Sequence, residues 1–207
     1  MKRLIAVLMA FAMLFALTAC GSAPASGETG GDSKTVDVGI VLPTKDEPRW
    51  IQDETRFSEA LGSTDYSVEI LFSQGSSAKE KENVDALIAK GIKVLIICPH
   101  DGDAAASAVE AARKEGIKVI SYDRLITGTD AVDYYVTFDS IAVGEAQAKY
   151  LVDQASGSGN PLYLYAGAAS DNNAFLFFEG AWNVLQPKIT DGTFVIKNSS
   201  EAVALQG

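Results

Sequence analysis

The sequence predicts an α/β protein with a doubly wound parallel sheet, and three observations support this fold class. From residue 36 onward, short apolar runs alternate with segments of helical period. The apolar runs are nearly continuous, which is typical of strands covered on both faces. A pattern of helix end, glycine, Ile-Lys-Val and polar tip occurs twice, around Gly91 and Gly116, and each copy holds one β-α step.

The strand predictions depend on short runs of β-branched and aromatic residues bounded by turn residues. In chain order the runs are "VDVGIVL" (36–42), "SVEILFS" (67–73), the two Ile-Lys-Val repeats, "DYYVTF" (133–138), "PLYLYAGA" (161–168) and "TFVIKN" (193–198). The stretch "SGSGN" is a turn or loop by composition. Ligands of such sheets bind beyond the carboxyl ends of the strands, so the residues there are the candidates for function.

The helices between these runs are predicted from apolar stripes at helical spacing. The first helix has Trp50 and Phe57 on its stripe, and the second has Val84 and Leu87 with Gly91 placed to end it. The later helices are the Ala-rich "DAAASAVEAARKE", a segment from about 141 to 154, and "AFLFFEGAWNVL".

Residues 1–19 are interpreted as an export signal of a lipoprotein. Lys2 and Arg3 precede an apolar stretch that is too short to cross a membrane, and "LTAC" resembles a bacterial lipobox. Cys20 is therefore predicted to carry acyl chains, with an ordinary secretory signal and a chance cysteine as the alternative. Residues 20–35, rich in Gly, Ser and Thr, are predicted to form a flexible tether.

Composition excludes several classes of function. The formal net charge is −10, and removal of Lys2 and Arg3 makes the exported chain more acidic still, so we expect no nucleic-acid partner. Cys98 lies in an apolar run and His100 is the single histidine, which leaves no zinc spacing and little room for a nucleophilic triad. No glycine-rich phosphate cradle is present. We therefore expect no catalysis, cofactor or metal, with a flavodoxin-like enzyme as the weaker alternative.

Polar, charged and aromatic residues cluster after the predicted strands. They are Arg49 and Trp50 after the first strand, Asp101 after the third, Asp123 and Arg124 after the fourth, and Asp171, Asn172 and Asn173 after the sixth. A monosaccharide presents hydroxyls around its edge and an apolar C–H face. Carboxylates, guanidinium groups and amides can satisfy the edge, and an aromatic ring can cover the face. These residues are therefore candidates for binding a sugar.

Simpler roles remain open for several candidates. Trp50 shares a helix stripe with Phe57 and could belong to the core. Asp123 and Arg124 could form an ordinary ion pair at a strand end. Asp101 could serve only as a helix N-cap, and Asp171 has the same ambiguity.

The motifs "PTKDEPRW", "KGIKVLIICPHDG", "GIKVISYDRLI", "YYVTFDS" and "DNNAFLFFEGA" occur in the order found in a known family. The chain resembles the type I periplasmic sugar-binding proteins of ABC transporters, most closely their xylose- and multiple-monosaccharide-binding branch. The resemblance implies two α/β lobes, at 36–138 and 139–207, joined by a hinge with a sugar in the cleft. Because members of the family continue through the rest of the second lobe, we expect the chain to be a truncated form.

The resemblance also assigns roles to the candidates, residue by residue. Arg49 and Trp50 are assigned to contact the sugar ring, and Asp123 and Arg124 to bind it as an acid-base pair. Asp171 and Asn173 are assigned contacts from the second lobe, and Asp101 a weaker contact. Asp139 is placed near the first hinge crossing. It implies a monomer that binds xylose, glucose or a similar aldose. It further implies delivery to ABC permease subunits from a position in the periplasm or on the outer face of the cytoplasmic membrane. A sugar-sensing receptor and an inactive fragment are the alternatives.

Overall fold

The computed structural model describes residues 35–198 of the 207-residue chain. The predicted export signal, Cys20 and almost all of the predicted tether lie outside these residues, as do positions 199–207. The strands are β1 (Val38–Leu42), β2 (Val68–Phe72), β3 (Val94–Ile97), β4 (Lys118–Tyr122), β5 (Tyr134–Val136), β6 (Asn160–Leu162) and β7 (Phe194–Ile196). The helices are α1 (Pro48–Gly62), α2 (Ser77–Ala89), α3 (Ala106–Lys114), α4 (Ser140–Gln154) and α5 (Asn172–Thr190).

The predicted doubly wound α/β fold is confirmed. The first five strands form one parallel sheet in the order β2-β1-β3-β4-β5, and β6 and β7 form a separate parallel pair. The interior strand β1 aligns Val41 with Leu71 on one side and with Ile97 on the other. Because all five strands run in the same direction, their carboxyl ends meet at one edge of the sheet.

Helices cover both faces of the five-stranded sheet. Successive residues of β1 alternate between the faces, so that Val41 packs with Leu87 of α2 and Val109 of α3. Ile40, on the opposite face, packs with Trp50 of α1. The stripe predicted for the second helix is thus correct. Gly91 follows the end of this helix in the left-handed conformation, with φ 79°.

The second sheet packs against the helix pair α4 and α5. Leu162 of β6, Leu185 of α5 and Phe194 of β7 form its core with Ala148 of α4. The strand predicted at 161–168 is shorter than expected, because within the described residues β6 pairs only with the short β7. Beyond that pairing, the Leu164 backbone bonds instead to the side chain of Asn198. Among residues 35–198, no helix combines the length and apolar character that a bilayer crossing requires.

Helices α4 and α5 cross at two glycines. A Cβ atom on Gly144 would overlap the carbonyl oxygen of Phe177, and a Cβ atom on Gly180 would overlap the carbonyl oxygen of Ile141. The obstacles are backbone atoms, which cannot rotate away as side chains do. The two helices can therefore lie this close only because neither position carries a side chain.

The turn after β4 starts at a residue in an unusual conformation. Asp123 has φ 65°, a left-handed value that non-glycine residues seldom adopt. Its amide donates to the carbonyl of Val136 over 2.8 Å, and its own carbonyl accepts from Thr137 Oγ1 over 2.8 Å and from Tyr135 Oη over 3.2 Å. These bonds to β5 and the residue after it hold the strained backbone in place.

The helix crossing predicts the effect of a single methyl group. We expect Gly144→Ala to lower the free energy of unfolding by about 1–3 kcal/mol, because the helices must separate to admit the Cβ atom. Gly62→Ala is the matched control, since a Cβ atom at Gly62 would meet nothing within 4 Å. Chemical denaturation of both variants measures the difference, and equal stability of the two would contradict the steric argument.

The positive φ of Asp123 predicts that a glycine variant is more stable than an alanine variant at this position, which is the reverse of the usual order. Asp123→Ala and Asp123→Gly remove the same carboxylate, but only glycine adopts a positive φ without cost, so we expect the glycine variant to be more stable by about 1 kcal/mol. At Asp130, a loop residue without positive φ, the glycine variant should be the less stable one. Thermal melts of the four variants measure both orders. An alanine variant as stable as the glycine variant at position 123 would show that the turn relaxes.

Candidate functional site

The predicted candidates at Arg49, Asp123 and Asn173 meet at the carboxyl edge of the five-stranded sheet. Arg49, near the start of α1, donates from Nη2 to Asp123 Oδ2. Asn173, in the first turn of α5, donates from Nδ2 to the Asp123 carbonyl over 3.1 Å and to its Oδ1 atom over 3.4 Å. Asp123 and Asn173 are each only 6% exposed, whereas 47% of the Arg49 side chain is exposed. The site therefore combines two fixed groups with one that solvent reaches.

Arg124 occupies the next position along this edge. Its Nη1 atom donates to the carbonyl of Pro99 over 3.3 Å, and its Nε atom lies 2.9 Å from Asp171 Oδ2. The contact with Asp171 brings opposite charges together but does not align the Nε–H for a hydrogen bond. Asp123 and Arg124 thus pair with Arg49 and Asp171 rather than with each other. The simple ion pair between neighbours, which the sequence left open, is not what forms.

Trp50 is buried, as predicted by the alternative that assigned it to the core. Its ring is 1% exposed and belongs to the cluster around Ile40, and its Nε1 donates to Glu47 Oε2 over 3.1 Å. The guanidinium carbons of Arg49 and Arg124 lie 4.5 Å and 5.4 Å from the ring centroid. Both distances are within the range of cation–π attraction. The ring therefore supports the two arginines, and its stacking on a ligand stays a prediction.

Asp53 is a residue of the site that sequence reasoning missed. It is 4% exposed, accepts from Tyr122 Oη over 3.1 Å and lies 3.6 Å from Arg49 Nε. Burial and the neighbouring Asp53 carboxylate raise the pKa of Tyr122. Burial opposes the charge of Arg49, but Asp123 and then Asp53 outweigh it and raise the pKa of Arg49. The signal in the sequence was a carboxylate three residues after Trp50, on the inward side of the helix.

Asp101 and Asn172 line a hollow next to this network. The hollow has a volume of about 310 Å³ and is also lined by Ser170 and Phe175. Asp101 accepts from the amides of residues 103 and 104, at 3.0 and 2.9 Å, so it stabilises the turn that leads into α3. The amide of Gly102 donates to the Ser170 carbonyl over 3.1 Å and joins this turn to the segment before α5.

Two predicted residues act as helix N-caps. Asp171 accepts from the Asn173 amide over 2.9 Å at the start of α5, so its capping alternative is correct and coexists with the contact to Arg124. Asp139 accepts from the Ala142 amide over 3.0 Å at the start of α4, three residues after the last strand of the five-stranded sheet. Its role as a hinge stays a prediction.

The site offers both donors and acceptors of hydrogen bonds. Guanidinium and amide groups donate, carboxylates accept, and a helix N-terminus adds further backbone donors. Within residues 35–198, no group of three or more His, Cys, Asp or Glu side chains is placed to hold a metal ion. The single described cysteine, Cys98, is fully buried, and burial raises the pKa of its thiol.

The comparisons with known proteins agree with this fold. A family model described as a periplasmic binding protein domain matches residues 38–206. The multiple sugar-binding periplasmic receptor ChvE of Rhizobium radiobacter is 37% identical over 80% of this chain and 48% of its own length. The D-xylose-binding periplasmic protein of Escherichia coli is 36% identical over 77% of this chain and 48% of its own length. The chain thus spans about half the length of the curated relatives it matches.

Two solved structures show the same fold. A carbohydrate transporter solute binding protein from Chloroflexus aurantiacus, in complex with D-glucose, is 86% identical with a TM-score of 0.79, covering 83% of this chain and 50% of that one. An ABC transporter solute binding protein from Clostridium phytofermentans, with bound β-D-glucose, is 36% identical with a TM-score of 0.73, covering 79% and 52%. The chain belongs to the periplasmic binding protein family.

Proposed function

We propose that this protein binds an aldose, D-glucose or D-xylose in the first instance, as the substrate-binding component of an ABC importer. The observation that carries the proposal is the 86% identity to a solute binding protein solved with D-glucose. The sugar would lie between a first lobe at 36–138 and a second lobe at 139–207. Asp139 would then lie at the crossing between the lobes. Capture and release of a neutral sugar by such a protein involves no bond making, so we propose no enzymatic activity.

The polar network supports this proposal through its chemistry. Asp123 and Asn173 are held by backbone bonds and by each other, so they would meet a ligand without losing conformational freedom. Arg49 is half exposed and could exchange part of its contact with Asp123 for a sugar oxygen. Hydrogen bonds to charged groups contribute about 1.5–3 kcal/mol each, enough for a few of them to select a polyol over water.

The remaining candidates extend the proposed site. Asp101 and Asn172 line the hollow beside the network, and Arg124 with Asp171 joins the carboxyl edge of the sheet to the start of α5. A ligand that bridged Asp123 and Asn172 would contact both proposed lobes. Closure around such a ligand follows from the added contacts on each side.

The cellular setting is a further part of the proposal. The charged start, apolar stretch and "LTAC" of the sequence support export and acylation of Cys20, with residues 20–35 as a tether and a permease as partner. The name of the relative from Rhizobium radiobacter, a receptor, favours a sensing partner as the second candidate function. Co-purification with a permease or with a signalling receptor distinguishes the two.

A thermal melt with a panel of aldoses tests the proposal. We expect D-glucose or D-xylose at about 100 times its Kd to stabilise the native chain by about 2.7 kcal/mol, which raises Tm by several degrees. Mannitol and lactate, which lack the pyranose ring, serve as controls. Unchanged melts with every aldose, confirmed by calorimetry on the folded chain, would overturn the proposal.

The proposed role of the Asp123 carboxylate predicts a binding defect that is separable from folding. We expect Asp123→Asn to weaken aldose affinity by roughly 10- to 100-fold, because a charged acceptor becomes a neutral one while the turn keeps a residue that tolerates positive φ. Asp65→Asn, at an exposed loop position, should bind like the original chain. Isothermal calorimetry measures both variants, and unchanged affinity of Asp123→Asn would exclude Asp123 from the sugar contacts.

A further inference from the structure

Glu80 is a buried carboxylate that neither the sequence analysis nor the proposed function uses. It lies in the first turn of α2, one helical turn before Val84 on the inward stripe, and is only 1% exposed. Its Oε2 atom accepts from the His100 amide over 2.8 Å and from Ser73 Oγ over 3.3 Å. Its Oε1 atom is buried and has no hydrogen-bond partner among the described residues. Such a group is costly to keep inside a protein, which calls for a reason.

The peptide unit between Pro99 and His100 links Glu80 to the candidate site. No peptide bond in the described range is cis, so the N–H and C=O of this unit point in opposite directions. The N–H donates to Glu80, and the C=O accepts from Arg124 Nη1 over 3.3 Å. Glu80 and Arg124 are thus on opposite ends of one peptide dipole. A negative charge at its N–H end makes its carbonyl oxygen a stronger acceptor.

We propose that Glu80 is a positioning residue for Arg124, acting through the Pro99–His100 peptide, and that its charge state sets how firmly Arg124 is held at the carboxyl edge of the sheet. The effect on sugar affinity depends on the proposed function, whereas the effect on Arg124 does not. The same peptide lies directly before the turn that Asp101 stabilises. Glu80 therefore acts on Arg124 without touching the ligand.

The charge of Glu80 can change near neutral pH. Burial raises the pKa of Glu80 to about 7, against the bonds from His100 and Ser73, which lower it. Arg124 also lowers the pKa, and Asp101 raises it. Above this pH the carboxylate polarises the peptide towards Arg124. Below it the protonated acid no longer does so, and the hold on Arg124 weakens.

The ionisation of Glu80 also changes the free energy of unfolding with pH, and the direction of this change distinguishes a functional role from a packing role. Because the pKa in the folded chain lies above its ordinary value of 4.5, the folded state binds the extra proton. The stabilisation that comes from this bound proton is fully present below pH 4.5 and is lost as the pH rises through about 7. At higher pH, Glu80→Gln should therefore gain stability relative to the original chain. If Glu80 served packing alone, this gain in stability would not be accompanied by a weaker hold on Arg124.

Nuclear magnetic resonance of the unliganded chain tests the link to Arg124 directly. We expect the His100 amide and the Arg124 guanidinium signals to titrate together with the Glu80 carboxyl carbon, at a midpoint near the pKa of Glu80. In Glu80→Gln both responses should vanish, and in Glu82→Gln, an exposed position on the same helix, both should remain. His100→Gln removes the imidazole of the turn and should leave the Arg124 response in place. An Arg124 response that persists in Glu80→Gln would overturn the proposal, as would a Glu80 carboxyl in the original chain that titrates without Arg124.

Calorimetry with D-glucose and D-xylose tests the consequence for binding. We expect the affinity of the original chain to fall about fivefold from about pH 8 to about pH 6, as when one ordinary hydrogen bond is weakened, and the affinity of Glu80→Gln to stay flat. If neither sugar binds at any pH while the Arg124 signals still titrate, the proposed function fails and the positioning role stands. If sugar binds with the same pH dependence in both proteins, the positioning role is wrong.

Discussion

The geometry of the candidate site depends on the conformation of Asp123. A left-handed backbone at the end of β4 turns the carbonyl of this residue towards Asn173 and its carboxylate towards Arg49. Both contacts come from elements far away in sequence, α1 and α5. A single strained residue, held by bonds to β5 and the residue after it, thus joins three parts of the chain. Strain at such a position is typical of functional sites, where the surrounding structure determines the backbone.

Charge compensation explains how so many ionised groups share a small region. Arg49 lies against Asp123 and Asp53, and Arg124 lies against Asp171. Trp50, underneath, supplies an apolar surface that both guanidinium groups can cover. Because each charge has a partner before any ligand arrives, a neutral polyol would compete for hydrogen bonds without having to neutralise a charge. This arrangement supports the proposal of an uncharged ligand.

Much of the fold could be predicted from the sequence because the underlying patterns are local. The runs that became β1 and β3 are apolar on both faces, and the stripe of Val84 and Leu87 marks one side of α2. Grouping Arg49 and Asp123 required only the rule that the parallel strands of one sheet end at one edge, whereas Asn173 follows β6 of the separate pair. The pairing within the group was not predictable, since it depends on side-chain rotamers and on the turn at Asp123. Glu80 and Asp53 were missed because a carboxylate on an inward stripe resembles ordinary helix surface until its neighbours are known.

The glycine crossing of α4 and α5 restricts more than helix packing. Gly180 lies about two turns after Asn173 in the same helix, so any widening at the crossing would tilt the start of α5. That tilt would carry the Asn173 amide away from the Asp123 carbonyl, although no polar group had been altered. Sequence change at Gly144 or Gly180 would therefore disturb the bond between Asn173 and Asp123 together with the packing of the two helices. Descendants of this chain would be free to vary the exposed rim while these two inconspicuous positions stay without a side chain.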